Sequence, residues 1–121
     1  MAEFRPRQKL WIERDGRVAM SDYRVRLLEL IQETGSLARA AAAMNLSYRR
    51  AWGKVKELEA NIGAPLVQSE VGGAGGGHTT LTSEAVAFVA AYHRFHIRVT
   101  EFVDLAFAEE LALFAESTGL P

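Results

Sequence analysis

The spacing of apolar and polar positions changes several times along the chain. Residues 8–14, QKLWIER, and the run RVAM are two short strand-like segments separated by Asp15-Gly16. Asp-Gly between such runs is the preferred signal for a two-residue hairpin turn, so an N-terminal β-hairpin is expected. From residue 22 to 34 the period becomes helical. Tyr23, Leu27, Leu30 and Ile31 recur on one face, Ser21 or Asp22 supplies the cap, and Gly35 stops the helix. Ser36 caps a short alanine-rich helix, LARAAAAM, whose small side chains allow a neighbour close approach, and Asn45 tolerates the left-handed backbone of a tight turn. A third helix, YRRAWGKVKELEANI, is capped by Ser47 and ends near Gly63 and Pro65. It places Ala51, Val55, Leu58 and Ile62 inward and Arg49, Arg50, Lys54 and Lys56 on the opposite side.

The remainder divides in two. LVQSE and HTTLT read as short strands joined through the glycine run Gly72 to Gly77, a hairpin with a glycine-rich tip. No glycine or proline interrupts residues 82 to 116, which read as one long helix of about 50 Å. In it Ala85, Phe88, Tyr92, Phe95, Val99, Phe102 and Ala106 alternate three and four apart, the repeat of a seam between paired helices. Phe88, Tyr92, Phe95, Val99 and Phe102 are therefore the expected homodimer interface, and a helix folded back on its own domain is the competing reading. The expected architecture is mainly α: a winged helix-turn-helix domain with its N-terminal hairpin over 1–81, then a dimerisation helix and tail over 82–121.

Composition narrows the class. A chain of 121 residues, 49% hydrophobic and 24% charged, has room for one globular core. Without cysteine, neither disulfides nor thiolate metal sites are available, and a reducing cytoplasm is the expected location. The polar, basic start MAEFRPRQKLWIER lacks a signal-peptide core, and no apolar stretch reaches membrane-spanning length, so no membrane partner is expected. The net charge of -1 conceals a strong asymmetry. Residues 1–56 carry twelve Lys/Arg against six Asp/Glu, and the rest carry two against nine. A basic front half points to a polyanionic partner, although two solvated surfaces of opposite sign would give the same count.

The segment GSLARAAAAMNLSYRRAWGKVKELE joins a capped short helix, a tight turn and a basic amphipathic helix, the layout of a helix-turn-helix. The second helix, about 47–62, would present its first turn to the major groove of double-stranded DNA. Arg49 and Arg50 suit bidentate contacts to guanine edges or phosphates, and Lys54 and Lys56 suit backbone charge neutralisation. Ser36, at the start of the first of these helices, joins the contact set. His78 and Thr79 in the wing are possible phosphate donors. A solvated basic helix face is the plainer reading of the same residues.

GSLARAAAAMNLSYRRAW, followed by VGGAGGG and LT, resembles the N-terminal DNA-binding domain of ModE, the molybdate-responsive regulator family, whose helix-turn-helix is related to that of LysR-type regulators. The likeness spans roughly residues 20–92. It implies a dimeric transcription regulator whose third helix enters the major groove, with Ser47, Tyr48, Arg49, Arg50 and Lys54 at the matching DNA-contact positions. The chain departs from the family's LTPxG at LTSEA, where Ala85 replaces the glycine. The family's separate molybdate module has no counterpart in these residues, so no molybdate binding is expected.

Other chemistry finds little support. GGAGGG is not followed by the GK[ST] and helix start of a nucleotide loop. His93 and His96 lie three apart but lack a motif such as HExxH, so no metal site is assigned; they are read as flanking the seam. Trp11 and Trp52 are expected in the core. No nucleophile, base and acid arrangement is evident, so neither catalytic residues nor a cofactor is assigned and the chain is not expected to be an enzyme. The alternative function is a protein-interaction or competitor role, in which the long helix pairs with another regulator and the chain has no operator of its own.

Overall fold

The computed structural model describes residues 3–70, 78–111 and 113–114. Strands β1 (Trp11–Arg14) and β2 (Arg17–Ser21) precede helices α1 (Asp22–Thr34), α2 (Leu37–Ala43) and α3 (Tyr48–Ile62). Strands β3 (Val67–Glu70) and β4 (His78–Leu81) and helix α4 (Ser83–Glu110) follow. The result is the mainly α winged helix-turn-helix expected from the sequence.

The first hairpin forms as the Asp-Gly signal predicts. Asp15 and Gly16 adopt φ of 53° and 79°, both left-handed, which matches the turn to the twist of the flanking strands. Ile12 pairs with Met20 but Glu13 pairs with Val18, so Ala19 is an extra residue in β2. Ala19 and Met20 are consequently both buried.

Residues 10–92 form one compact unit, in which α2 packs against both α1 and α3. Its core joins Met20, Val25, Leu28 and Ile31 to Leu37, Ala40, Ala51, Val55 and Leu58, and continues through Leu66, Leu81, Ala85 and Tyr92. The long helix thus belongs to this unit for its first ten residues, beyond the expected boundary at 81/82. Thr82 starts it: its hydroxyl accepts from the Ala85 N–H at 3.2 Å and donates to the Pro65 carbonyl at 2.8 Å.

Tyr92 is 3% exposed, and its hydroxyl lies 2.5 Å from an Asp22 carboxylate oxygen and 3.0 Å from the Leu10 carbonyl. Burial, then the bond to and charge of Asp22, push the phenol well above its usual range. This corrects the expected seam at its start. Tyr92 is committed to the core of its own unit, and Phe88 packs against that core. A three-four repeat identifies one face of a helix, not what covers it.

Glu59 of α3 fastens the beginning of the wing. Its carboxylate accepts from the Leu66 and Val67 N–H groups at 2.8 and 3.3 Å and from Lys56 Nζ at 3.1 Å. Burial alone raises its pKa, but these bonds and the lysine charge outweigh it, and the net shift is downward from 4.5. A depressed carboxyl contributes stability above its unfolded pKa and loses it as pH falls through the folded value. Glu59→Gln is therefore expected to cost about 1–2 kcal/mol near neutral pH, with the gap to the native chain closing in thermal melts as the pH falls below 4.5. An equal gap at neutral and at acid pH would show that the carboxylate charge is not what holds the wing.

The second compact unit comprises the described parts of 1–9 and 93–121. Gln8 donates to Thr100 Oγ1 at 3.1 Å. Phe4 and Pro6 face Phe102, Val103, Ala106 and Phe107 of α4 across a cavity of about 660 Å³. The expected continuation of the helix to residue 116 lies outside the described residues after Phe114.

Candidate nucleic-acid interface

The corner between α2 and α3 is built almost entirely from backbone bonds. Asn45 has φ of 57°, the Leu46 N–H donates to the Ala41 carbonyl at 2.9 Å, and the Asn45 N–H donates to Ala42 at 3.1 Å. These are the paired 6→1 and 5→2 bonds of a Schellman stop, with asparagine where glycine is usual. Ala40, Ala41 and Ala51 are buried to 1% exposure or less, so the two helices meet through side chains of minimal size.

Each serine cap forms where the sequence places it. The Ser36 hydroxyl accepts from the Arg39 N–H and the Ser47 hydroxyl from the Arg50 N–H, both at 3.1 Å. A hydroxyl that accepts one bond retains its proton for donation, so both serines keep a donor. Tyr48 is 57% exposed at the start of α3, beside exposed Arg49 and Arg50. One polar tyrosine and two guanidinium groups therefore stand on a single turn, on a helix whose other face is anchored by Ala51, Val55 and Leu58.

Further along, the lysines divide. Lys54 Nζ lies 5.3 Å from the ring centre of Tyr23, and Lys56 Nζ lies 4.4 Å from that of Trp52 while pairing with Glu59. Sequence reasoning places Tyr23 on the inward face of α1 and both tryptophans in the core. Instead Tyr23 is 42% exposed, Trp52 38% and Trp11 52%, with the Trp11 indole donating to Glu13 at 2.9 Å. Five aliphatic residues of α1 form its buried face, and Tyr23 lies outside it. The spacing of Trp52 four before Lys56 is the available signal for a cation over an aromatic ring.

Strand β4 is fixed to the α1–α2 corner. The Thr79 N–H donates to the Gly35 carbonyl at 2.9 Å, and the Leu81 N–H donates to Gln32 Oε1 at 3.1 Å. Gly35 combines φ of 68° with a packing need, since a Cβ there would run into the His78 ring. His78 and Thr79 are thus positioned at the base of the wing. The tip, including Gly72 to Gly77, lies outside the described residues. His93 and His96 stand one turn apart on α4, and among the described residues no group of three potential metal ligands gathers.

Comparison with known proteins agrees with this layout. Residues 23–86 match the family of bacterial regulatory helix-turn-helix proteins, lysR family. The chain is 36% identical over 96 residues to the molybdenum transport protein ModE of Azotobacter vinelandii, covering 79% of this chain and 36% of that protein. It is 40% identical over 81 residues to the molybdenum-pterin-binding protein MopB of Rhodobacter capsulatus, covering 67% and 30%. Similarity to the transcriptional regulator ModE of Haemophilus influenzae is 37% over 90 residues, covering 68% and 35%. The chain spans about a third of the length of these relatives. Among the described residues no helix is long and apolar enough to cross a membrane. With more than half its length matched, and with the capped helix, asparagine turn and basic helix in place, the chain belongs to the lysR family of bacterial regulatory helix-turn-helix proteins, and its helix-turn-helix is of the ModE-like kind.

Proposed function

We propose that the chain binds double-stranded DNA sequence-specifically as a homodimer, with α3 in the major groove and the wing on the backbone or minor groove. The observation that carries this reading is the first turn of α3, where Tyr48, Arg49 and Arg50 are all exposed on a helix anchored from behind. A helix that enters the groove by its N-terminal turn places these side chains against base edges. In this reading Ser36, Ser47, His78 and Thr79 act as donors to phosphate, fixing register without reading sequence. Similarity to proteins named for molybdenum transport and molybdenum-pterin binding makes molybdenum-related genes the first place to seek operators.

Lys54 has a different role from the arginines. Its ammonium rests over the Tyr23 ring, at the side of α3 instead of its leading turn, which suits a contact to phosphate. Lys54→Ala is expected to weaken binding to all sequences alike and to reduce the slope of log affinity against log salt by about one unit for each phosphate it no longer neutralises. Fluorescence anisotropy on an operator selected from a random duplex library and on a scrambled duplex, across a salt series, tests both statements. No preference between the two duplexes for the native chain would exclude sequence-specific binding.

A further inference from the structure

Gly53 occupies the interior of the 15-residue α3. Glycine is among the least favourable helix residues, because it gives up the most backbone freedom on folding. At the other described glycines the fold supplies a reason. Gly16, Gly35 and Gly63 have φ of 79°, 68° and 84°, and a Cβ on Gly63 would come within 2.7 Å of the Arg14 guanidinium. Gly53 has neither reason. It is not among the positive-φ glycines, and a Cβ built on it would meet nothing within 4 Å.

Its neighbours on the helix surface carry charge. Arg49 and Arg50 precede it by one turn, and Lys56 and Glu57 follow it by one turn, all exposed, with Lys56 held toward Trp52 and Glu59. Arg49 and Lys56 are about 10 Å apart along the axis, and Gly53 between them carries no side chain. An α-helix with its side chains is about 10–12 Å across and the major groove is about 12 Å wide, so depth of entry is set by side chains that face the groove floor.

We infer that Gly53 is the point of closest approach between α3 and the duplex, and that its missing side chain determines specificity by letting the helix seat deeply enough for Arg49 to reach base edges. This rests on the reading that α3 enters the major groove. A methyl group at Gly53 would extend about 1.5 Å from the backbone into that contact, and a longer side chain would hold the helix off the floor. Non-specific binding depends on phosphates along the groove walls and does not require that depth.

The test uses the full chain, an operator selected from a random duplex library with the native protein, and a random-sequence duplex. Gly53→Ala is expected to melt about 4 °C higher than the native chain, because alanine is the better helix former and meets no obstacle. The same variant is expected to bind the operator about tenfold more weakly, and Gly53→Gln more than about 100-fold more weakly, as steric exclusion grows with size. Affinity for the random duplex should stay within about twofold in both. Native operator affinity in both glycine variants, alongside weakened binding by the Arg49→Ala/Arg50→Ala double variant, would overturn the inference and leave α3 in the groove. Native affinity in the arginine variant as well would remove α3 from the interface and the inference with it. A lower melting temperature for Gly53→Ala would show that the fold itself demands the glycine, which also overturns the inference.

Discussion

Replacing Arg49 and Arg50 together by alanine is expected to lower operator affinity by about two to four orders of magnitude while leaving the fold intact. Both arginines are exposed on the leading turn of α3, and their backbone is held by the Ser47 cap and by Ala51 behind them. Alanine is a better helix former than arginine, so the turn survives their removal. A bidentate arginine to a guanine edge contributes about 1–3 kcal/mol of discrimination, and about 1.4 kcal/mol is tenfold in affinity. One such contact on each of two half-sites gives about 2–6 kcal/mol, close to the stated range, with preference relaxed at the base pair it reads. Anisotropy at moderate salt measures the affinity, and circular dichroism with a thermal melt measures the fold. Undiminished operator binding in a folded double variant would exclude α3 as the reading element.

How far the sequence discloses this arrangement depends on how local each cause is. The Asp15-Gly16 turn, the serine caps at 36 and 47, and the stops at Gly35, Asn45 and Gly63 are decided within a few residues, and each lies where the sequence places it. The partner of a face is decided at long range, and there sequence reasoning fails. Tyr92 shares the three-four repeat of Phe95 and Phe102 but serves a different surface, because Leu10 and Asp22, some 70 to 82 positions away, meet its hydroxyl. Hydrophobicity alone assigns Trp52 and Tyr23 inward, whereas smaller aliphatic side chains fill the space. Glu59 carries no local signal either. Its carboxylate matters because the chain turns at Gly63 and Pro65 and returns the Leu66 and Val67 N–H groups to it.

The remaining large effect is expected at Phe102. With Tyr92 buried in the core of residues 10–92 and Phe88 partly buried against it, the seam proposed for the homodimer rests chiefly on Phe95, Val99 and Phe102. Of these Phe95 is 44% and Phe102 70% exposed in a single chain. Aromatic surface of that extent on one helix is covered in a stable dimer and costly to leave in water. Phe102→Glu places a carboxylate in the proposed seam, where its desolvation opposes association by several kcal/mol, yet at 70% exposure the change barely perturbs the single chain. Sedimentation should therefore show a mass of twice the 13.3 kDa chain for the native protein and of one chain for the variant, with helix content unchanged. On DNA the effect is expected to exceed that of removing a single phosphate contact such as Lys54. Two linked recognition helices engage half-sites about one helical turn apart at high effective concentration, and separating them should reduce affinity for a palindromic operator by about 100-fold or more. Binding to an isolated half-site should change little, because each α3 keeps its own arginines. A native chain that sediments as a monomer at tens of micromolar, or a Phe102→Glu variant that stays dimeric, would place the contact between copies elsewhere or remove it.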